Sequence, residues 1–140
     1  MEAHDTRPLI AITMGDPAGI GAEVSLKALL EPEVYSLCRP LVLGTLGMLE
    51  RMRDVLHSGQ QLQAVSSPAE GRYRLGTVDV LDLADEHPGP FLLGVAAKDN
   101  GAAAVAYVER AIALALSGEV DAIATAPLNK EAMRVAGFPY

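Results

Sequence analysis

The sequence predicts an α/β fold: an open, mostly parallel sheet with helices on both faces. Three observations carry this. Short apolar runs alternate with helix-length amphipathic segments along the whole chain, the pattern of repeated strand–helix–strand units. Several of those runs, "LIAITM", "LVLGT" and "VDAIATAP", are apolar without alternation, as strands covered on both faces are. Half of the 140 residues are hydrophobic, enough for one packed domain.

The first strand is read at residues 9–14, where β-branched Ile10, Ile12 and Thr13 run up to Gly15. A helix follows over 22–30, with apolar Val24, Leu26, Leu29 and Leu30, and Pro32 stops it. Residues 41–45 form the second strand. Residues 46–57 form a helix with the stripe Leu46, Leu49, Met52, Val55 and Leu56, ended by Gly59. A weak third strand spans 62–65, and the Ser-, Pro- and Gly-containing stretch 66–76 is loop. "TVDVLDL", 77–83, alternates apolar and acidic residues, the pattern of a half-buried strand. "EHPGP", 86–90, is a break. Alanine-rich 95–117 is a long helix, capped at its start by Asp99 or Asn100 and at its end by Gly118. Its stripe Ala104, Val108, Ala111, Ile112 and Ala115 serves as core or interface. A buried strand over 120–127 closes at Pro127, and a last helix ends at Gly137.

The bulk chemistry excludes several classes. A formal net charge of -7 disfavours a nucleic-acid groove, which needs clustered cations. One cysteine, Cys38, rules out an internal disulfide and reads as a small buried hydrophobe. His4, His57 and His87 are scattered and lack metal-ligand spacing, so no metal site is expected from this chain. No apolar run approaches the roughly 20 residues that cross a bilayer, and the polar start lacks a signal-peptide pattern. The expectation is a soluble, cytoplasmic protein with no membrane partner.

Two loops stand where chemistry is expected, at the carboxyl ends of parallel strands. The first is "GDPAGIG", with Gly15, Asp16, Gly19 and Gly21. Glycines admit close backbone approach, and amides at a helix start favour anions. The loop lacks the Gly-Lys-Ser/Thr ending of a phosphate loop, and Val24 stands where the dinucleotide fingerprint needs a third glycine. A tight turn explains its glycines equally well, and helix capping explains Asp16. Glu23 suits the positive end of the helix dipole. The second loop is "TAPLNK". Its Thr125, Asn129 and Lys130 offer a hydroxyl, an amide and an ammonium, which together suit an anionic, hydroxylated substrate. Asn129 as an N-cap and Lys130 as a solvated lysine are the plainer readings. No nucleophile–base set or acid pair emerges, so no catalytic residue is assigned.

Together, "AITMGDPAGIGAEV" and "AIATAPLNKEAMRVAG" resemble the 4-hydroxythreonine-4-phosphate dehydrogenase family, from about Pro8 to Tyr140. The sister group acting on D-threonate or D-erythronate 4-phosphate is similar too, and "ATAPLNKEAM" leans towards it. "GDPAGIG" also resembles the loop of isopropylmalate and isocitrate dehydrogenases, whose fold the resemblance implies. Ala22 departs from the family's usual proline, at little cost because alanine is a good helix former.

The resemblance implies NAD- or NADP-dependent oxidation of a phosphorylated four-carbon hydroxy acid, aided by a divalent metal and followed by decarboxylation, as in pyridoxal phosphate biosynthesis. It implies a homodimer, with Lys130, Asn129 and Thr125 on the substrate side and the Gly15–Gly21 loop facing the cleft or cofactor. It further implies that 1–140 is the N-terminal portion of a two-domain enzyme. The first domain would cover roughly 1–125 and the second would begin at roughly 126–140, with the fold incomplete at its C-terminus. The family's metal-binding histidines match no position here, so the metal ligands are expected beyond residue 140 and the isolated chain is expected to be inactive. The alternative is a non-catalytic module on the same scaffold that binds a phosphorylated ligand or a partner chain.

Overall fold

The computed structural model describes residues 3–85, 89 and 91–139. Most of the 86–90 break and His87 lie outside the described residues. The strands are β1 (Leu9–Thr13), β2 (Arg39–Gly44), β3 (Gln61–Val65), β4 (Thr77–Asp82) and β5 (Ala122–Thr125). The helices are α1 (Gly21–Ala28), α2 (Pro32–Leu37), α3 (Leu46–Leu56), α4 (Lys98–Leu116) and α5 (Lys130–Val135). A 3-10 turn spans Pro68–Glu70.

The five strands form one sheet in the order β3-β4-β2-β1-β5. Every pairing is parallel, with Ala11 opposite Leu41 and Ile123, and Val42 opposite Val80. Side chains alternate between two cores. Val42, Val78 and Val80 meet Leu26 and Leu29 of α1's end and Leu49 of α3 on one face. Leu9, Ala11, Leu41, Leu43 and Leu81 meet Ala111 and Leu114 of α4 on the other. Helices thus cover both faces, as the alternating pattern predicts.

Several elements differ from the sequence expectation, each for a physical reason. Pro32 does not only stop α1; it starts α2, because proline's fixed φ suits a first helical position. α1 buries Ala22, Ser25 and Leu26, while Val24 and Leu30 are exposed. α3 ends on His57 in the left-handed conformation (φ 50), two residues before Gly59. α4 starts at Lys98, and its N-cap is Ala97 without a side-chain bond. Asn100, expected as the cap, is instead buried inside the helix, where its Nδ2 donates to the Val95 carbonyl at 2.6 Å. β4 is not half-buried but central, and it is covered on both sides.

Asp79 of β4 is 1 % exposed and accepts from the amides of Arg72 (3.0 Å) and Tyr73 (2.8 Å). Its acidic letter marks a buried anchor, not a solvent face. β5 is the opposite case. It reads as a buried strand, yet it stands at the sheet edge with Ala122, Ala124 and Thr125 exposed. Cys38 is only half-buried.

Candidate functional site

In an all-parallel sheet every strand ends on the same side, so the loops that leave those ends share one rim. The path from β1 moves outward through β2, and after β4 the chain returns through α4 to the far side of β1, where β5 lies. β1 and β5 therefore flank the point where the order of strands reverses, which is where open α/β sheets form a ligand crevice.

The two loops predicted from sequence meet there and are bonded together. The Asp16 amide donates to the Pro127 carbonyl at 3.1 Å, and the Ala126 amide to the Thr13 carbonyl at 2.9 Å. Asp16 does not cap α1, whose N-cap is Ile20. Its Oδ1 accepts from the Ala18 amide at 2.9 Å, an Asx turn that shapes the loop from within. On the outer side, the Gly94 amide donates to the Ala18 carbonyl at 2.7 Å.

A cleft of about 460 Å³ lies between the two loops. Asp16, Gly19 and Ile20 line one wall, and Pro127, Leu128, Asn129, Lys130 and Glu131 line the other. Gly15 and Gly21 are not on these walls. A Cβ at Gly15, which sits at φ 74, would overlap the Pro127 carbonyl, and one at Gly21 would overlap the Met14 carbonyl. These two glycines let the loops pack against each other. Thr125 ends β5 with an exposed side chain and is not among the lining residues.

Asn129 is the N-cap of α5, its Oδ1 accepting from the Ala132 amide at 3.2 Å. Lys130 is exposed, and no ion pair engages it among the described residues. Glu131 pairs with Arg134 at 2.6 Å, and that hydrogen bond holds its carboxyl below the usual range. Glu131 therefore stays charged but neutralised by its own helix. Sequence reasoning missed Ile20 and Leu128, which give the cleft apolar side chains; their places inside the two motifs were the one signal available for them.

The ends of β2 and β4 are braced as well. Thr45 and Tyr107 share a hydrogen bond of 2.5 Å, and burial pushes the Tyr107 phenol up to about 12. Asp82 Oδ1 accepts from the amides of Leu46 (3.0 Å) and Ala84 (3.1 Å). Gly101 of α4 lies so close to α5 that a Cβ would overlap the Ala132 carbonyl.

Among the described residues no set of three His, Cys, Asp or Glu side chains could hold a metal ion. The space beside Gly15 and Gly21 is taken by the carbonyls of Pro127 and Met14. Burial pushes the Cys38 thiol up, away from the thiolate form. Among the described residues no helix is long and apolar enough to cross a membrane.

The protein is an open parallel α/β sheet with a cleft at the point where its strand order reverses. Comparison with known proteins makes that class specific. The family described as "Pyridoxal phosphate biosynthetic protein PdxA" matches residues 36–140. The 4-hydroxythreonine-4-phosphate dehydrogenase of Desulforapulum autotrophicum is 42% identical over 136 residues, covering 97% of this chain and 40% of that protein. The D-threonate 4-phosphate dehydrogenase of Cupriavidus necator is 44% identical over 137 residues, covering 97% and 40%. A crystal structure of a 4-hydroxythreonine-4-phosphate dehydrogenase from Burkholderia phymatum superposes with a TM-score of 0.91 at 43% identity, over 97% of this chain and 41% of that one. The chain belongs to the PdxA family, a family of dehydrogenases, and spans about two-fifths of the length of these relatives.

Proposed function

We propose that this chain is the N-terminal, substrate-side portion of an NAD(P)- and divalent-metal-dependent dehydrogenase. Its substrate is a phosphorylated four-carbon hydroxy acid: 4-hydroxythreonine 4-phosphate, or D-threonate or D-erythronate 4-phosphate. The observation that carries this is the union of the two family motifs in one cleft, through the Asp16 amide and the Pro127 carbonyl.

In this reading the Lys130 ammonium balances the charge of the phosphate or carboxylate. The Asn129 amide has its oxygen committed to α5 and its nitrogen left to donate. Ile20 and Leu128 narrow the cleft mouth and reduce the water around the bound acid, which strengthens the lysine's attraction. A bound nicotinamide would accept the hydride beside the Gly15–Gly21 loop, and a divalent metal, its ligands expected beyond residue 140, would polarise the alcohol oxygen. The first domain covers roughly 1–125 and residues from roughly 126 begin the second. The enzyme works in the cytoplasm as a homodimer, and this chain alone does not turn over.

Titration calorimetry of the chain with D-threonate 4-phosphate at low ionic strength tests the site. Lys130→Ala is expected to weaken binding about tenfold or more, the value of a lost charge-assisted contact. Its melting temperature should not change, because the side chain is exposed. Equal affinity in both proteins removes Lys130 from the site. Nicotinamide reduction by the isolated chain would overturn the claim that it is catalytically incomplete.

A further inference from the structure

We propose that Gly101 of α4 is a positioning residue. By carrying no side chain it seats α5, and with it the Asn129–Lys130 wall, at the distance from the Asp16–Ile20 wall that an acid spanning the cleft requires. Ala102, Ala103 and Ala104 follow it in α4. A glycine weakens a helix interior relative to alanine, so helix formation does not account for Gly101. Packing does. A Cβ there would overlap the Ala132 carbonyl and come within 2.8 Å of the Met133 nitrogen. These are backbone atoms of α5, so no side-chain rotation relieves the contact and the helix itself must shift.

The contact reaches the cleft through one residue. Ala132 is 1 % exposed, and its amide is the one that Asn129 Oδ1 caps at 3.2 Å. Lys130 is the first residue of α5 and Asn129 its cap, so both travel with Ala132. The hydrogen bond from the Asp16 amide to the Pro127 carbonyl pins the base of this wall to the first loop. A shift at Ala132 therefore swings α5 about that pin and changes the gap at Lys130.

The same turn of α4 holds the opposite wall. Asn100 donates to the Val95 carbonyl at 2.6 Å, and the Gly94 amide beside it donates to the Ala18 carbonyl of the first loop at 2.7 Å. Two consecutive residues thus serve the two walls, Asn100 by a side chain and Gly101 by the lack of one. Gly101 and Ala132 are both buried, and every atom of their contact lies within the described residues. The ligand comes from the proposed function, so wall position and ligand binding are read separately.

In a crystal structure of Gly101→Ala, Asn129 and Lys130 should stand displaced relative to Asp16 by on the order of 1 Å, a misplacement large enough to matter for function, while β1–β4 superpose on the unmodified chain. Titration calorimetry then compares D-threonate 4-phosphate, which spans both walls, with inorganic phosphate, which needs Lys130 alone. In Gly101→Ala the ratio of the two affinities should fall about tenfold or more, because only a ligand held at both ends feels the altered gap. General loosening lowers both affinities by one factor, so the ratio separates position from stability. Met133→Ala is the control. It removes a side chain only 5 % exposed from the α4–α5 interface and lowers the melt, but it places no atom against Ala132, and its ratio should hold. If Gly101→Ala does not fold, Ala104→Val, one turn on in the groove between α4 and α5, is a second wedge and should lower the ratio likewise. Walls that stay in place, a ratio that holds in the wedged variant, or an equal fall in Met133→Ala overturns the proposal. A chain that binds neither ligand overturns the proposed function instead, and the wall positions still decide the role of Gly101.

Discussion

A missing side chain does different work at each glycine of the first loop. Gly21 abuts the Met14 carbonyl, and Gly15 pairs a positive φ with the Pro127 carbonyl. Gly19 has its nearest neighbour 3.5 Å away, an ordinary contact. Gly21→Ala should therefore cost about 3 kcal/mol through overpacking, and Gly19→Ala less than about 1 kcal/mol. Urea unfolding of the two variants checks the contrast, and equal losses would contradict it. Asp79 is the second decisive residue. It holds Tyr73 at φ 51, a conformation that bulky side chains avoid. Asp79→Asn replaces one acceptor with a donor beside the amides of Arg72 and Tyr73, the latter buried, so a loss of about 2 kcal/mol is expected, with faster exchange at both. At this scale Asn129 as the N-cap of α5 was legible, because an asparagine just before a helical run is a conspicuous cap. Asp79 was not, because an acid in an alternating strand looks the same whether it meets water or buried amides.

Elements were legible where periodicity and chain breakers agreed. β1, β2, α3 and the long α4 lie within a few residues of where their patterns put them. The burial of β4 and β5 was not legible, because neither an alternating nor an apolar run says whether its strand is central or at an edge. β4 has neighbours on both sides and β5 on one. The start of α4 shows the limit of capping rules. Asn100 has the residue type of a cap but spends its amide on Val95, tying the segment before α4 to the helix. That segment in turn reaches the first loop through Gly94. Asn100→Ala should cost about 1 kcal/mol and speed exchange at Gly94 before it affects β1. An unchanged Gly94 amide would show that the tie does not transmit.

For the whole molecule, the buried tyrosines set an alkaline limit. Burial pushes Tyr35, Tyr73 and Tyr107 each up to about 12. In the unfolded chain these phenols ionise near 10. Between the two values the unfolded state has lost protons that the fold retains, so unfolding gains ground as pH rises. Stability is thus fully present below 10 and falls through about 12, with Tyr107 alone contributing on the order of 2 kcal/mol. The urea midpoint should hold steady from neutral pH to 10 and then drop, most weakly in Tyr107→Phe. A midpoint that stays level through 12 would mean these hydroxyls already meet water.

The bonds that fasten the first loop also set the thermodynamics of anything that binds beside it. Ordering a loop costs about 1–2 kcal/mol of backbone entropy per residue. Here Pro127, Gly94 and the Asp16 side chain have fixed those dihedrals as part of folding. A ligand arriving in the cleft meets a wall that is already rigid. Its heat-capacity change should then reflect the ligand's own buried surface and carry no added signature of a segment that folds on binding.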